Sequence, residues 1–329
     1  MTSRTLELHG TAPRRPLPHR RRFWREAIAL HGSVTPYVLP RVLVAGALAV
    51  VVCHLVTALR TYAGIDLTME VAPHELGGAV LGILLVLRTN AGYDRWWEAR
   101  KLWGGIVNQS RNLAVGALAY GPDDQGWRDR VVRWIAAFPH LARAQLRGEP
   151  APPQAVALVG PEGARRLAAA DHAPSVAVMA VARLLHAAGD RMDGFAFQQV
   201  DAERAALMDH LGGCERILKT PLPVVYSIKV RRFILLYLAT LPLAILPQVD
   251  RMWMVPVVTM MLAYPLLSLD QIGVELQNPF ACEHLSHLPL DDICGTIERN
   301  VLALGAVPAE ADELRIAPRP RPLRVGAGG

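Results

Sequence analysis

An uncharged run from Val42 to Leu59, closed at its two ends by Arg41 and Arg60, sets the first limit on this chain. About 18 to 20 consecutive apolar residues cover the ~30 Å hydrocarbon thickness of a bilayer. A water-soluble core offers no natural place for such a segment, so it is expected to span a membrane. Two more apolar runs, Phe233 to Pro247 and Met252 to Leu269, are separated only by Gln248, Val249, Asp250 and Arg251. So short a connection makes them an antiparallel membrane hairpin. Pro242, Pro256 and Pro265 predict kinks inside it, which neighbouring helices accommodate by re-satisfying the freed carbonyls.

A further run, Leu76 to Leu87, is too short to cross on its own apolar residues and is framed by Pro73, His74 and Glu75 before it and Arg88 after it. A span here must include polar groups, and a charge near the bilayer centre costs roughly 2.5 to 3.5 kcal/mol on insertion scales. Those groups are therefore expected to face protein or water. Gly78 and Gly82 stand at small-xxx-small spacing, which lets helix backbones approach closely. A buried helix of a bundle and a helix lining an axis both satisfy these facts.

Charge gives the topology. The chain of 329 residues carries a formal charge of +6, with 52% hydrophobic and 19% charged residues. That balance excludes a disordered chain, and the basic residues lack the polar surface a nucleic-acid binder needs. Residues 1–36 hold Arg4, Arg14, Arg15, Arg20, Arg21, Arg22 and Arg25 among Pro13, Pro16 and Pro18, with no signal-peptide pattern. The loop between the first two spans holds Asp66, Glu70 and Glu75 instead. By the positive-inside rule both termini are cytoplasmic and the membrane is the cell inner membrane.

The expected division is a basic arm (1–36), spans one and two with the following charged motif (37–111), a cytoplasmic helical region (112–225), the hairpin of spans three and four (226–270), and a cytoplasmic tail whose end is disordered (271–329). Trp127–Leu146, Ser175–His186 and Val200–Leu218 show helical spacing, the last with a break near Gly212 and Gly213. Gly148–Pro153 and Gly160–Gly163 read as turns, and Pro221 and Pro223 mark the entry to span three. The fold class is all-α.

The densest constellation is RTNAGYDRWWEARKLWGGIVNQSR, Arg88 to Arg111. Arg95, Glu98 and Lys101 follow one another at i, i+3, so their charges are expected to neutralise along one helical face. Trp96, Trp97 and Trp103 suit a membrane boundary, where an indole has one apolar edge and one N–H to satisfy. An aromatic belt alone needs neither the paired charges nor Asn90, Asp94, Asn108 and Arg111.

This string resembles the bestrophin family of ion channels, its bacterial branch in particular. Further matches are His31-Gly-Ser-Val-Thr-Pro36 with Leu39-Pro-Arg41, Cys214-Glu-Arg-Ile-Leu-Lys-Thr-Pro-Leu-Pro-Val-Val-Tyr226, Gly273-Val-Glu-Leu-Gln-Asn-Pro-Phe280, and Leu288-Pro-Leu-Asp-Asp-Ile-Cys294. The resemblance runs from about Arg22 to Asn300. It implies a homopentamer with one central pore, lined by the second span of each subunit and continued by a cytoplasmic vestibule.

The family's hydrophobic neck falls, by anchoring on Arg95-Trp96-Trp97, on Ala79, Ile83 and Leu87, with Gly78 and Gly82 beside them for packing. Animal members carry larger side chains there, so an alanine widens the outer end. A second constriction falls on Phe195, by counting back from Pro223; a core phenylalanine is the competing reading. The animal calcium clasp follows Asn278-Pro-Phe280. Here Ala281, Cys282, Glu283, His284, Leu285, Ser286 and His287 supply one carboxylate where calcium wants six to eight oxygens. No calcium gating and no cofactor are expected.

Other chemistries fit less well. Cys53, Cys214, Cys282 and Cys294 form no CxxC, which indicates a reducing compartment. Cys282, His284, His287 and Cys294 match no common zinc spacing. His54 within span one is either a proton relay or a residue packed on a neighbouring helix. No GxSxG, Walker A, GxGxxG or paired-carboxylate arrangement supports an enzyme. A carrier would show inverted repeats and a polar site at mid-membrane, and neither is present. The sequence thus points to passive ion flow through a membrane pore; the resemblance implies chloride as the first expectation, with a monovalent cation such as sodium the alternative.

Overall fold

The computed structural model describes residues 29–30, 32–284 and 286–306. The basic N-terminal arm and the end of the tail lie outside the described residues. Nine α-helices occur among the described residues, with no strand: α1 Thr35–Ala58, α2 Ala72–Tyr120, α3 Gln125–Arg147, α4 Pro153–Ala168, α5 Ala173–Ala188, α6 Gly194–Lys219, α7 Val224–Ile245, α8 Met254–Glu275 and α9 Leu290–Gly305. Four of these, α1, α2, α7 and α8, are long and apolar enough to cross a membrane, and they include the four runs read from the sequence. The chain is a multi-pass membrane protein.

It divides into two compact units. One takes the residues up to 74 with 238–271, the other 75–237 with those from 272 onward. In the first, α1 buries Val38, Val42, Ala49, Cys53 and Val56, while Leu43, Val44, Leu48, Val51 and Leu55 stay exposed. A helix apolar on both faces belongs in lipid. Gly46 marks the closest approach of α1 to α8, since a Cβ there would sit 2.7 Å from the Met260 side chain. Polar contacts tie the helices of this unit across long stretches of sequence: Thr35 Oγ1 to Tyr264 Oη at 2.8 Å, Arg41 to Gln271 Oε1 at 3.3 Å and His74 Nε2 to Thr240 Oγ1 at 2.9 Å. His54 is exposed in this chain.

The second unit holds the larger core. Helix α2 continues far beyond its apolar stretch, and Trp103, Ile106, Leu113 and Ala117 on it join Trp127, Val131, Ile135, Phe138 and Leu141 of α3. The turn between these helices is closed by Asp124, whose carboxylate accepts from the backbone N–H of Trp127 at 2.5 Å, an ordinary N-cap. Arg128 is buried and donates to the carbonyl of Leu118 at 3.0 Å, satisfying the end of α2. Helix α9 packs on α3 through Cys294, Ile297 and Val301. Cys294 Sγ donates to the carbonyl of Pro139 at 3.2 Å.

Two local expectations are corrected and one is met. Helix α6 runs unbroken through Gly212 and Gly213. A Cβ at Gly213 would lie 2.8 Å from Leu102, so this glycine serves close packing, not interruption. The break expected at Gly160–Gly163 is present: Gly160 takes φ 73° and ψ −179° and separates two helical stretches of α4, a conformation open to glycine alone. Trp103 is fully buried in the helical core instead of lying at a boundary.

Candidate functional site

The first half of α2 has two unlike faces. Leu81, Leu85 and Arg88 are buried, with Arg88 only 1% exposed, whereas Leu76, Val80, Ile83, Val86 and Leu87 are exposed, Ile83 at 62% and Leu87 at 55%. Ala79 and Asn90 lie on the same exposed side. The spacing of Ala79, Ile83 and Leu87 puts them on one stripe of the helix. Between Glu75, exposed one turn before Ala79, and Asp94, also exposed, the stripe bears no charge. On the packed side, Gly78 meets Tyr237, whose Oη would lie 2.8 Å from an added Cβ, while a Cβ at Gly82 would meet nothing within 4 Å in this chain.

The charged motif behaves otherwise than its spacing suggests. The charge of Glu98 still acts on Arg95, but the hydrogen bonds of Arg95 go elsewhere. Its guanidinium donates to the carbonyls of Thr220 at 2.7 Å, of Ile217, and of Gln277 at 3.3 Å. Ile217 is in the last turn of α6, where helix geometry leaves carbonyls without an internal partner. A cation is also favoured at a helix C-terminus. Glu98 turns to Arg216 of α6 at 2.5 Å, not to Arg95 or Lys101. Trp96 donates its indole N–H to the carbonyl of Ser286 at 2.9 Å, and Trp97 stays exposed in a stack with Tyr93. The motif therefore fastens α2 to the end of α6 and to the segment after α8.

At the other end of α6 stands Phe195. It is 86% exposed, so it is no core phenylalanine. Asp193 caps the helix there, accepting from the Phe195 backbone N–H at 3.2 Å. One helix of 26 residues, ~39 Å at the usual rise, thus joins Phe195 to the Arg95 clamp.

Beyond these residues lies a polar network that sequence reasoning missed. His140 of α3 lies 2.7 Å from Glu298 Oε2 of α9, and burial pulls its pKa down against that partner. Asp291 takes Arg143 and, at 3.0 Å, Arg147. Burial opposes its charge, but the Arg147 hydrogen bond and the two guanidinium charges hold it below the usual carboxylate value. Only the three-residue and four-residue steps of Arg143 and Arg147 hinted at it, since their partner lies far along the chain.

The motif after α8 is likewise structural. Ser286 donates to Glu275 at 2.8 Å, and His284 lies 3.6 Å from the same carboxylate. Glu283 is exposed and Cys294 is turned into the core. Among the described residues no three His, Cys, Asp or Glu side chains converge as metal ligands. Burial pushes the thiols of Cys214 and Cys294 up to about 12, with nearby Glu215 adding to it at Cys214, so both are inert at neutral pH.

A family model for the Bacterial/Fungal Bestrophin protein matches residues 15–303. The chain belongs to the bacterial and fungal bestrophin family. Among its relatives, a voltage-dependent anion channel-forming protein of Synechocystis is 33% identical over 294 residues, covering 87% of this chain and 93% of the relative. One of Mesorhizobium japonicum is 34% identical over 299 residues, covering 89% and 93%. The crystal structure of a bacterial bestrophin homologue from Klebsiella pneumoniae superposes with a TM-score of 0.75 at 27% identity, over 82% of this chain and 98% of that one. The all-helical fold with four candidate spans is thus that of a bacterial bestrophin.

Proposed function

We propose that this bestrophin assembles as a homopentamer around a single pore in the cell inner membrane and passes anions, chloride first, down their electrochemical gradient. The observation that carries the reading is the exposed, uncharged stripe of α2. Five copies of Ala79, Ile83 and Leu87 facing an axis form an apolar neck, and a narrow apolar ring blocks ions through the cost of stripping their water. Gly78 and Gly82 serve the packing of this helix. Phe195, projecting from the start of α6, forms a second constriction toward the cytoplasm. The arginine-rich segments place both termini in the cytoplasm. The names of the relatives, anion channel-forming proteins, support the choice of ion.

Asp94 favours a second reading, a monovalent cation channel of the same fold. It lies on the exposed side of α2 next after Asn90, where a ring of carboxylates would attract sodium. A carrier would need a polar mid-membrane site, and the stripe has none. The neck is tested by replacing Ile83 with Ala or Leu87 with Ser. Single-channel conductance should rise; an unchanged conductance in intact pentamer removes these residues from the constriction.

A further inference from the structure

Two adjoining hollows lie on the surface of the helical region, the first of them at the kink in α4. One, of about 290 Å³, is lined by Arg130, Arg133 and Trp134 of α3 and by Val159, Gly160 and Arg166 of α4, among others. The other, of about 370 Å³, lies between α4 and α5 and is lined by Arg166, Val176, Met179, Ala180 and Arg183 with Ser175. Arg166 belongs to both. Each is at the lower end of the size range of small-molecule sites.

Their chemistry is one-sided. Four guanidinium groups meet one carboxylate, and that carboxylate, Glu162, is already held by Arg165 at 2.6 Å and Arg166 at 3.2 Å. Among the described residues, no carboxylate pairs with Arg130, Arg133 or Arg183. Like charges gathered in one cleft call for an anionic guest, and the planar guanidinium fork matches phosphate oxygens two at a time. Inorganic phosphate would use the arginines alone. The remaining lining is apolar: Trp134 and Val159 in the first hollow, Val176, Ala180 and Met179 in the second, the last 54% exposed. Such a lining suits a ring attached to the charged part.

Position decides where the guest comes from. Arg128, half a turn before Arg130, grips the carbonyl of Leu118 at the far end of α2. On the proposed reading, in which the span of α2 ends near Leu87, Leu118 is roughly 45 Å farther along that helix at the usual rise. That favours a soluble ligand over a lipid headgroup. The backbone also keeps the cleft open: Gly160 lines the first hollow with nothing within 4 Å of an added Cβ. A side chain there would combine strain with obstruction.

We propose that the Arg130–Arg133–Arg166–Arg183 cleft binds a nucleotide-class ligand, its phosphates on the arginines around Trp134 and its ring on Val176 and Met179. The test is titration calorimetry on purified full-length protein in detergent, with ADP, inorganic phosphate, adenosine and hexaglutamate as probes. ADP should bind saturably, one per chain, at least tenfold tighter than phosphate or adenosine. The pair of changes Arg130→Gln and Arg133→Gln should weaken ADP at least tenfold without moving the thermal transition. Should that variant misfold, Met179→Glu keeps the arginines and must weaken ADP as well. The proposal is overturned by an absence of saturable ADP binding, by binding that survives both variants, by phosphate binding as tightly as ADP, or by hexaglutamate displacing ADP, which would make the cleft an acidic-peptide surface.

Discussion

Replacing Arg95 with alanine removes three hydrogen bonds from one guanidinium, two of them at the end of α6. Each hydrogen bond from a charged donor contributes about 1.5 to 3 kcal/mol net when its partner has no substitute. The Thr220 carbonyl is exposed and regains water, and the Gln277 contact is long, so both are discounted. The half-buried Ile217 carbonyl is the one left stranded. The loss then comes to about 3 kcal/mol, which for a domain of this size shifts the thermal transition by roughly 5 to 10 °C. Arg95→Lys keeps the charge but offers a point donor to a fork-shaped site, and should recover less than half. The assay is thermal unfolding of purified protein at a fixed scan rate, paired with hydrogen exchange on the amides of the last turn of α6. A shift under about 1 °C with unchanged exchange would refute the clamp.

Acid should weaken the contact between α3 and α9. Burial holds His140 below its ordinary value, so the folded chain favours the neutral ring. That contribution is complete above about pH 6.5, the unfolded value, and is lost as pH falls toward the lower folded value. Unfolding temperatures measured from pH 7.5 to 5 should fall, and His140→Gln should flatten the slope; an equal slope would place the acid sensitivity elsewhere. Thiol labelling gives a separate check on the core: Cys214 and Cys294, buried and raised to about 12, should resist maleimide at pH 7 until the chain is unfolded, as read by mass spectrometry.

Much of the architecture was legible because membrane spans announce themselves. An uncharged run the length of Val42–Leu59 has few alternatives, and the two prolines at 221 and 223 placed the start of α7 at Val224. Glycine was the less reliable guide. Gly213 sits within a helix against Leu102 while Gly160 bends α4. The local difference is Pro161, which disfavours the helical region at the residue before it; Gly213 has no proline after it. The Arg88–Arg111 motif was recognisable as a site but misread in its contacts, because i, i+3 spacing suggested pairs along one helix. The partners of Arg95 and Glu98 lie at the end of α6 and after α8, more than a hundred residues away, and that distance closes only in the fold. Phe195 stood out by motif counting, and its exposure at the start of α6 is a tertiary fact. Helix α9 was missed outright, since its apolar stripe of Cys294, Ile297 and Val301 is short and is buried only by α3.

The most direct test of the central claim is the reversal potential of purified, size-verified pentamer in planar bilayers under an asymmetric NaCl gradient. The account predicts a shift toward the chloride equilibrium potential. A shift toward that of sodium would contradict it, moving the ion choice to the carboxylate of Asp94.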